Sequence, residues 1–298
     1  MRGLVVALGN FDGVHLGHQE VLRRAVAEGW RRGMTVMAAT FHPHPRSIVG
    51  YGDPPRLLTP VELRREVLLG YGVDEVVVIP FDIDLSRKSP GQFVRDVLVG
   101  EIGAAVVVVG ENFRFGHRAA GDFHDLERLI REMGGEAIAV GVRGAGREGE
   151  ISSTHIRALI SEGEVSEAAG LLGRPYVLRG EVVVGDQRGR SIGFPTANVL
   201  PDPDVVIPAR GVYAGFVLVG EERYAACTNV GVAPTFDRAE SRVEAYLMDF
   251  EGDLYGRIVD VSFAKRIREE RRFSGVDELT AQIRRDVEEA RLITDRLR

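Results

Sequence analysis

The sequence begins with a run of strand-forming residues that ends in a glycine-rich turn and continues as a helix. Residues 4–8 are apolar, and glycines follow at 9, 13 and 17. From about residue 17 to residue 32, apolar side chains recur at helical spacing, at Val21, Leu22, Ala25, Val26 and Trp30. In an open α/β sheet, the turn between a strand and the next helix binds phosphates against the amides of the helix N-terminus. This stretch therefore predicts an α/β fold with a phosphate site at its first turn.

Two histidines stand in this turn, His15 and His18, with only Leu16 and Gly17 between them. Imidazole N–H groups can donate hydrogen bonds to an α-phosphate, and these bonds strengthen as negative charge grows on its oxygens in the transition state. Gly17 leaves the backbone bare for a close approach. Such chemistry needs positioning and charge stabilisation, not a covalent intermediate. The alternative is a polar loop in which one histidine caps the helix, but the position among three glycines after a strand favours phosphate binding.

Composition excludes several classes of function. The chain has 298 residues, enough for about two domains, with 44% hydrophobic and 28% charged residues and a net charge of −6. The acidic balance argues weakly against a general nucleic-acid binder, and no apolar stretch approaches a membrane span. With no cleavable signal at the N-terminus, we expect a cytoplasmic protein. The single cysteine, Cys227, excludes an internal disulfide and a multi-cysteine zinc site.

The lysine-bearing phosphate loop of most NTPases is missing from the sequence. The two lysines, Lys88 and Lys265, do not follow a glycine-rich loop. Any ATP chemistry must therefore use histidine, arginine, backbone amides and metal ions.

Strands and helices alternate up to about residue 142, which predicts a doubly wound parallel sheet. Further strands are expected at 34–41, 75–80 and 104–109, the last an uninterrupted apolar run typical of a central strand. A helix is expected to start at Thr59, as its cap, and to end near residue 70.

Polar side chains follow several of these elements. The loop at 110–116 holds Asn112, which can pair with a base or a ribose; the alternative is a plain turn with core aromatics. His42 and His44 could line the same crevice or lie on the surface. Near residue 151 a helix opens with hydroxyl residues and an arginine, namely Ser152, Ser153, Thr154 and Arg157. This set suits the β- and γ-phosphates of ATP, although a single serine would suffice as a helix cap.

The pattern changes near Gly173, so we expect domains at 1–173 and 174–298. Short alternating runs replace long helices, at 177–184, 211–219, 224–228, 243–248 and 258–263. Their even spacing predicts a small antiparallel barrel, closed or nearly closed. The basic segment 263–273 is interpreted as a solvated helix face, and from residue 276 an amphipathic helix should pack on the barrel.

A second glycine-rich segment opens this half of the chain. Gly185, Gly189 and Gly193 allow phosphates to approach the backbone, and Thr196 and Asn198 alternate along an extended stretch. Their side chains should therefore face the same way. Two neutral oxygens on one face suit Mg²⁺, which keeps waters and nucleotide phosphates as its other ligands. The alternative is a hairpin with a polar strand end.

Glu244 is a carboxylate within an expected strand, between Val243 and Ala245. Spacing alone slightly favours an outward, solvated side chain. If it points at the metal site, it can take a proton from an attacking hydroxyl.

Together these motifs resemble the bacterial bifunctional riboflavin kinase/FMN adenylyltransferases, also called FAD synthetases, over nearly the whole chain. The first half carries Gly-Asn-Phe-Asp-Gly-Val-His-x-Gly-His at 9–18, Pro-His-Pro at 43–45, Asn-Phe-x-Phe-Gly at 112–116 and Ile-Ser-Ser-Thr-x-Ile-Arg at 151–157. The second half carries Gly-x-Pro-Thr-Ala-Asn at 193–198, Asn-x-Gly-x-x-Pro-Thr-Phe at 229–236, Asp-Leu-Tyr-Gly at 253–256 and Ile-Arg-x-Glu-x-x-Phe at 267–273. One departure is Ala233, where many members of the family carry arginine.

The resemblance implies two reactions, riboflavin plus ATP to FMN, then FMN plus ATP to FAD and pyrophosphate. ATP is the co-substrate and Mg²⁺ the implied cofactor. In the first domain, His15 and His18 would stabilise the α-phosphate. The ATP contacts there would be Gly9, Phe11, Gly13, Gly17, Asn112, Ser152, Ser153, Thr154 and Arg157.

In the barrel domain the resemblance implies that Thr196 and Asn198 bind Mg²⁺ and that Glu244 is the base activating the ribityl hydroxyl. The further contacts would be Gly185, Gly189, Gly193 and Pro195 for ATP, and Asn229, Arg268 and Phe273 for the flavin.

Two alternatives compete with this interpretation. A nucleotidyltransferase with another acceptor would not need Thr196, Asn198 and Glu244. A flavin-binding regulator without catalysis would be expected to lack one of the proposed catalytic side chains. All of these residues are present.

Overall fold

A computed structural model of the protein defines residues 3–50, 53–141, 151–185, 192–234 and 239–297. The chain divides into two compact units, Met1–Ser153 and Thr154–Arg298.

The first unit is built on a five-stranded parallel sheet. Its strands are β1 (Leu4–Leu8), β2 (Val36–His42), β3 (Glu75–Pro80), β4 (Ala104–Gly110) and β5 (Glu136–Val140). They lie in the order β3-β2-β1-β4-β5, with every neighbouring pair parallel. The predicted doubly wound sheet is therefore confirmed.

Both faces of the sheet are covered because neighbouring side chains along a strand point to opposite sides. Val6 and Val107 join one apolar core, whereas Val5 and Val106 join the other. The continuous apolar runs in β1 and β4 follow from this double burial.

Helices connect the strands of this unit. They are α1 (Leu16–Arg32), α2 (Pro45–Val49), α3 (Val61–Gly70), α4 (Ile83–Arg87), α5 (Pro90–Gln92), a π-helix (Phe93–Glu101) that continues α5, and α6 (Phe123–Glu132). The expected cap of α3 is wrong: Pro60 is the N-cap and makes no side-chain bond, and Thr59 lies outside the helix.

Trp30 does not belong to the buried stripe of α1, since it is 87% exposed. The contact with the sheet is made by Gly29, where an added Cβ would lie 2.1 Å from Val36 Cγ2. The absence of a side chain lets α1 sit directly on β2, and the next residue then points away from the sheet.

The second unit contains a closed antiparallel barrel, which confirms the predicted fold. Its strands are β6 (Tyr176–Val183), β7 (Ala197–Pro201), β8 (Gly211–Val219), β9 (Glu222–Pro234), β10 (Ala239–Leu247) and β11 (Ile258–Arg268), in the order β10-β7-β6-β11-β8-β9. The helix face expected over 263–273 is wrong, because β11 continues through residue 268, paired with β8.

Three helices accompany the barrel, α7 (Ser153–Glu162), α8 (Val165–Leu172) and α9 (Val276–Asp295). The outer sides of β8 and β9 meet α9 in one apolar cluster that includes Val212, Phe216 and Ala290. Cys227 lies in the same cluster, where burial raises the pKa of its thiol to about 12, so it is not a reactive thiolate at neutral pH.

The helices α7 and α8 occupy the interval between residue 153, where the compact units divide, and residue 173, where the sequence pattern changes. α8 packs against β6 and β11, and Ser166 Oγ donates to Ala264 O at 3.0 Å. The functional boundary after residue 173 stays a prediction. Within the described ranges, no helix has the length and apolar character needed to cross a membrane.

Candidate active sites

The loop between β1 and α1 lies where the order of the sheet reverses. β1 stands between β2 and β4, so a crevice opens at the carboxyl ends of β1 and β4. In this loop Phe11 and Val14 have φ angles of 48° and 43°, on either side of Gly13 at 83°. Such angles are rare for residues with side chains, above all for β-branched valine. The surrounding structure holds this backbone shape, as is common at functional sites.

The two histidines meet in the first turn of α1. His15 is the N-cap, and its Nδ1 accepts a hydrogen bond from the His18 backbone N–H at 3.3 Å. The two rings stack with centroids 3.6 Å apart and planes inclined by 16°. The Phe11 ring meets His18 edge-on, at 5.3 Å between centroids. His15 therefore caps the helix through Nδ1, and capping is compatible with phosphate binding through Nε2.

We assign both imidazoles as neutral with the proton on Nε2. His15 Nδ1 accepts a hydrogen bond and so does not carry the proton. Burial, above all, and the nearby Arg64 guanidinium lower the pKa of His18 well below its usual value. His18 Nδ1 is buried and has no hydrogen-bond partner among the described residues, so a proton there would have no acceptor. The pair thus offers N–H donors without a fixed positive charge.

A buried ion pair holds the loop in place. Asp12 and Arg64 are each 1% exposed, with Arg64 Nη2 3.6 Å from Asp12 Oδ1. The Asp12 carboxylate accepts from the backbone N–H groups of Leu58 and Thr59 at 3.0–3.1 Å. The Arg64 guanidinium donates to Asn10 O at 3.1 Å and Thr59 O at 3.0 Å. The pair therefore ties the glycine loop to the start of α3.

Asp12→Asn is expected to lower the free energy of unfolding by about 3–5 kcal/mol, because Arg64 keeps a buried charge without a counter-ion. Calorimetric and urea unfolding would measure the loss. The matched control is Asp74→Asn: Asp74 accepts a bond from Val36 N at 2.8 Å, and this change should cost only about 1 kcal/mol. Equal losses in the two variants would contradict a dominant role for the buried charge pair.

Ser153 lies against the glycine loop. Its Oγ donates to Asp12 O at 2.8 Å, so the structure brings this predicted ATP residue to the backbone beside the histidines. Ser152 immediately precedes α7 and is partly buried. Thr154 and Arg157 lie on α7 in the second compact unit, and their role stays a prediction.

Asn112 is exposed in the turn after β4, at the carboxyl edge of the sheet where the β1 loop also lies. Phe113 and Phe115 stack at 5.7 Å behind it, with Phe115 in the core. Arg114 is 3.6 Å from the Asp122 carboxylate. His44 caps α2 by accepting from Arg46 N at 3.2 Å. The turn with core aromatics is therefore present, and the ATP contact expected of Asn112 stays a prediction.

The other glycines of the β1 loop have distinct settings. Gly9 donates its N–H to Ala39 O at 3.1 Å, and an added Cβ there would lie 3.2 Å from the Phe11 ring. Gly17 is buried in the first turn of α1. At both positions the absence of a side chain lets the backbone pack closely against the surrounding residues.

In the barrel, three of the predicted site residues are directly paired across adjacent strands, and we call this row of paired residues the rung. Glu244 in β10 stands opposite Asn198 in β7 and opposite Asn229 in β9. Residues directly opposite each other in antiparallel strands share a face. The same rung continues through Val212 to Arg268 in β11. Val212 packs with α9, so this is the outer face of the barrel.

Glu244 and Asn198 share a partner that the sequence did not indicate. Arg242 Nε lies 3.1 Å from Asn198 Oδ1 and 3.1 Å from Glu244 Oε1. Asn198 is buried, and an added Cβ at Gly185 would lie 2.2 Å from its Nδ2. Gly185 thus leaves room for the amide of Asn198, and the phosphate contact expected of this glycine stays a prediction.

The segment before β7 approaches the same face. The Phe194 ring meets Tyr246 edge-on at 5.4 Å between centroids. Gly193 has a φ of 87°, which favours glycine, and Pro195 is exposed. Thr196 is partly buried, two positions before Asn198, as the expected alternation requires. Gly189 lies outside the described residues.

Arg268 and Phe273, the expected flavin contacts, are held together with α9. Arg268 Nη2 donates to Asp286 Oδ2 at 2.7 Å, and Asp286 is buried. The Arg268 guanidinium lies 5.7 Å from the centre of the Phe273 ring. Arg268 therefore fixes α9 to β11, and any flavin contact would be made by a side chain that is already anchored.

Arg64, Arg242 and Asp286 are the residues that sequence reasoning missed. A signal existed for Arg64, which lies four residues before the fully buried Leu68 on the same face of α3. Asp286 is likewise a charge four residues before the buried Ala290 of α9. Arg242 lies two residues before Glu244, and this spacing indicates only that the two side chains share a face of the strand.

The oxygen donors of the barrel rung fit a hard divalent cation. Amide, hydroxyl and carboxylate oxygens are the ligand types that Mg²⁺ takes, usually with several waters retained. Among the residues that the structure describes, no cluster of three or more His, Cys, Asp or Glu could hold a metal. A metal here would therefore rely on few protein ligands and on the nucleotide.

Comparisons with known proteins match both halves of the chain. A family model described as FAD synthetase matches residues 1–155, and one described as riboflavin kinase matches residues 172–294. Bifunctional riboflavin kinase/FMN adenylyltransferases of Bacillus subtilis and Escherichia coli K12 are 38% and 39% identical to this chain, covering 96% of it and 91% of their own length.

A solved structure of a protein named as a macrolide-efflux protein of Streptococcus pneumoniae has the same fold over nearly the whole chain. The TM-score is 0.87 at 33% identity, with 98% of this chain and 95% of that chain covered. The two family matches and the relatives agree with the geometry of both units. The chain belongs to the bifunctional riboflavin kinase/FMN adenylyltransferases, which make FMN from riboflavin and FAD from FMN.

Proposed function

We propose that the stacked pair His15 and His18 stabilises the α-phosphate of ATP while a phosphate oxygen of FMN attacks it and pyrophosphate leaves. The observation that carries this is the pair of stacked imidazole rings at the helix N-terminus, with centroids 3.6 Å apart, in the loop at the crevice of the sheet. The attacking FMN phosphate is already anionic, so the step needs no base. Donors that strengthen as charge develops lower the barrier.

The remaining ATP contacts of this reaction are proposed from the family motifs. The β1 loop would supply backbone at Gly9, Phe11, Gly13 and Gly17. The polar side chains would be Asn112, Ser152, Ser153, Thr154 and Arg157. The bond from Ser153 to Asp12 O supports this for one member.

In the barrel we propose Glu244 as the base that takes the proton from the ribityl hydroxyl, whose oxygen then attacks the γ-phosphate and releases ADP. The pairing of Glu244 with Asn198 and Asn229 supports this assignment, because it brings a carboxylate and two amide side chains to one face. Thr196 and Asn198 would hold Mg²⁺. When bound, Mg²⁺ neutralises charge on the phosphates of ATP.

The other barrel contacts are proposed from the motifs. Gly185, Gly193 and Pro195, with Gly189, would border the nucleotide, and Arg268 and Phe273 would border the flavin. We propose the cytoplasm as the location, because both reactions consume ATP.

The product balance tests this function. Purified protein given riboflavin, ATP and Mg²⁺ should form one ADP for each flavin phosphorylated and one pyrophosphate for each FAD. With FMN supplied instead of riboflavin, pyrophosphate should form without ADP. Chromatography of the flavins and nucleotides over time provides the measurement. Flavins that emerge unchanged, or FAD without pyrophosphate, would refute the proposal.

A further inference from the structure

Arg242 occupies the point between the two side chains on which the kinase chemistry is proposed to depend. Its Nε lies 3.1 Å from Asn198 Oδ1 and 3.1 Å from Glu244 Oε1. The Nε–H thus donates to the amide oxygen, and the same nitrogen lies within ion-pair distance of the carboxylate oxygen. A divalent cation would be attracted by the same two oxygens, because Mg²⁺ takes oxygen ligands of both kinds.

The partners differ in how easily they can move. Asn198 is buried, and Gly185 packs so closely on its amide that an added Cβ would lie 2.2 Å away. Arg242 and Glu244 keep 25% and 28% of their side chains exposed. Both side chains reach solvent, so water can replace the pairing partner of either one, and contact with water weakens an ion pair. Arg242 is therefore the partner that can leave, whereas the Asn198 oxygen stays where it is.

We propose that the Arg242 guanidinium stands in for a divalent cation at Asn198 Oδ1, beside Glu244, and that it withdraws when the metal enters. Two cations cannot both approach these oxygens without strong repulsion. Arg242 thereby keeps Asn198 Oδ1 and Glu244 oriented before the metal arrives, and it raises the metal concentration that the barrel requires. Arg242 is a positioning residue. The inference rests on the proposed function, which assigns Asn198 to the metal and Glu244 to the proton transfer.

The direct test is binding of Mn²⁺ to the full chain with ADP held at a fixed, saturating concentration and no flavin, measured by calorimetry, because the nucleotide supplies part of the ligand set. Arg242→Gln removes the competing charge and should bind Mn²⁺ about two- to fivefold more tightly than the unchanged protein, the range expected for losing one exposed ion pair. Arg242→Lys keeps a cation and should remain close to the unchanged protein. Nucleotide binding at fixed ADP should then saturate at lower metal concentration in Arg242→Gln.

The matched control is Arg179→Gln. Arg179 is another barrel arginine, 23% exposed, and its Nε lies 2.6 Å from Asp260. It should leave Mn²⁺ affinity unchanged. Equal or weaker Mn²⁺ binding by Arg242→Gln, or an equal gain in Arg179→Gln, would overturn the inference. Riboflavin phosphorylation that survives loss of the Glu244 carboxylate would refute the proposed base instead, and the Mn²⁺ titration would still decide the role of Arg242.

Discussion

His18→Ala is expected to lower FAD formation from FMN and ATP by about 10²–10³-fold, the usual loss when one donor to a developing phosphate or oxyanion charge is removed. His18 is stacked on His15 at 3.6 Å, and its lowered pKa keeps the ring neutral at pH 7. The loss should therefore fall on kcat more than on KM, because the donor acts most strongly in the transition state. Initial rates of pyrophosphate release at varied FMN would measure both constants.

Riboflavin phosphorylation by the same variant should continue at the unchanged rate, because Glu244 and Asn198 lie in the other compact unit. His124→Ala is the matched control: His124 is an exposed histidine in the first turn of α6. It should leave both activities intact. Loss of FMN formation in a folded His18→Ala protein would contradict separate sites for the two reactions.

The helices and strands were predictable where the apolar periodicity of the sequence matches the residues that the fold buries. The strand, glycine turn and helix at residues 4–32 form as expected, since the same apolar periodicity that predicts α1 also buries it. The sequence identified Asn198 and Glu244 as candidate site residues from the chemistry of their side chains. Their direct opposition depends on the register between β7 and β10, which pairing between distant strands sets and local spacing does not.

The sequence did not indicate the side-chain interactions that join different helices, strands and loops. Arg64 reaches from α3 to Asn10 and Asp12 in the β1 loop, 54 and 52 positions away, so no short motif contains both partners.

The predicted burial of Trp30 is wrong for a different reason. Trp30 fits the helical spacing of the apolar residues, but it is Gly29 that contacts β2. Periodicity predicts which face is apolar, and close packing then decides which residue on its border is buried.

Glu244→Gln tests the other reaction, and here the expected loss is about 10²–10⁴-fold in FMN formation, the range for removing a general base. Glutamine keeps the size of the side chain and an oxygen near Arg242, 3.1 Å from Glu244 Oε1 in the unchanged protein. It cannot accept the proton of the ribityl hydroxyl. Adenylylation of supplied FMN should proceed normally, because His15 and His18 are untouched.

Glu181→Gln provides the comparison, since Glu181 is an exposed carboxylate on β6 of the same barrel. It should support both reactions at the unchanged rate. If Glu244→Gln forms FMN as fast as Glu181→Gln, the carboxylate on the shared rung is a solvated strand residue, as spacing alone slightly favoured. A loss confined to Glu244→Gln would instead mean that the register of β7, β9 and β10 brings the base, Asn198 and Asn229 to one substrate.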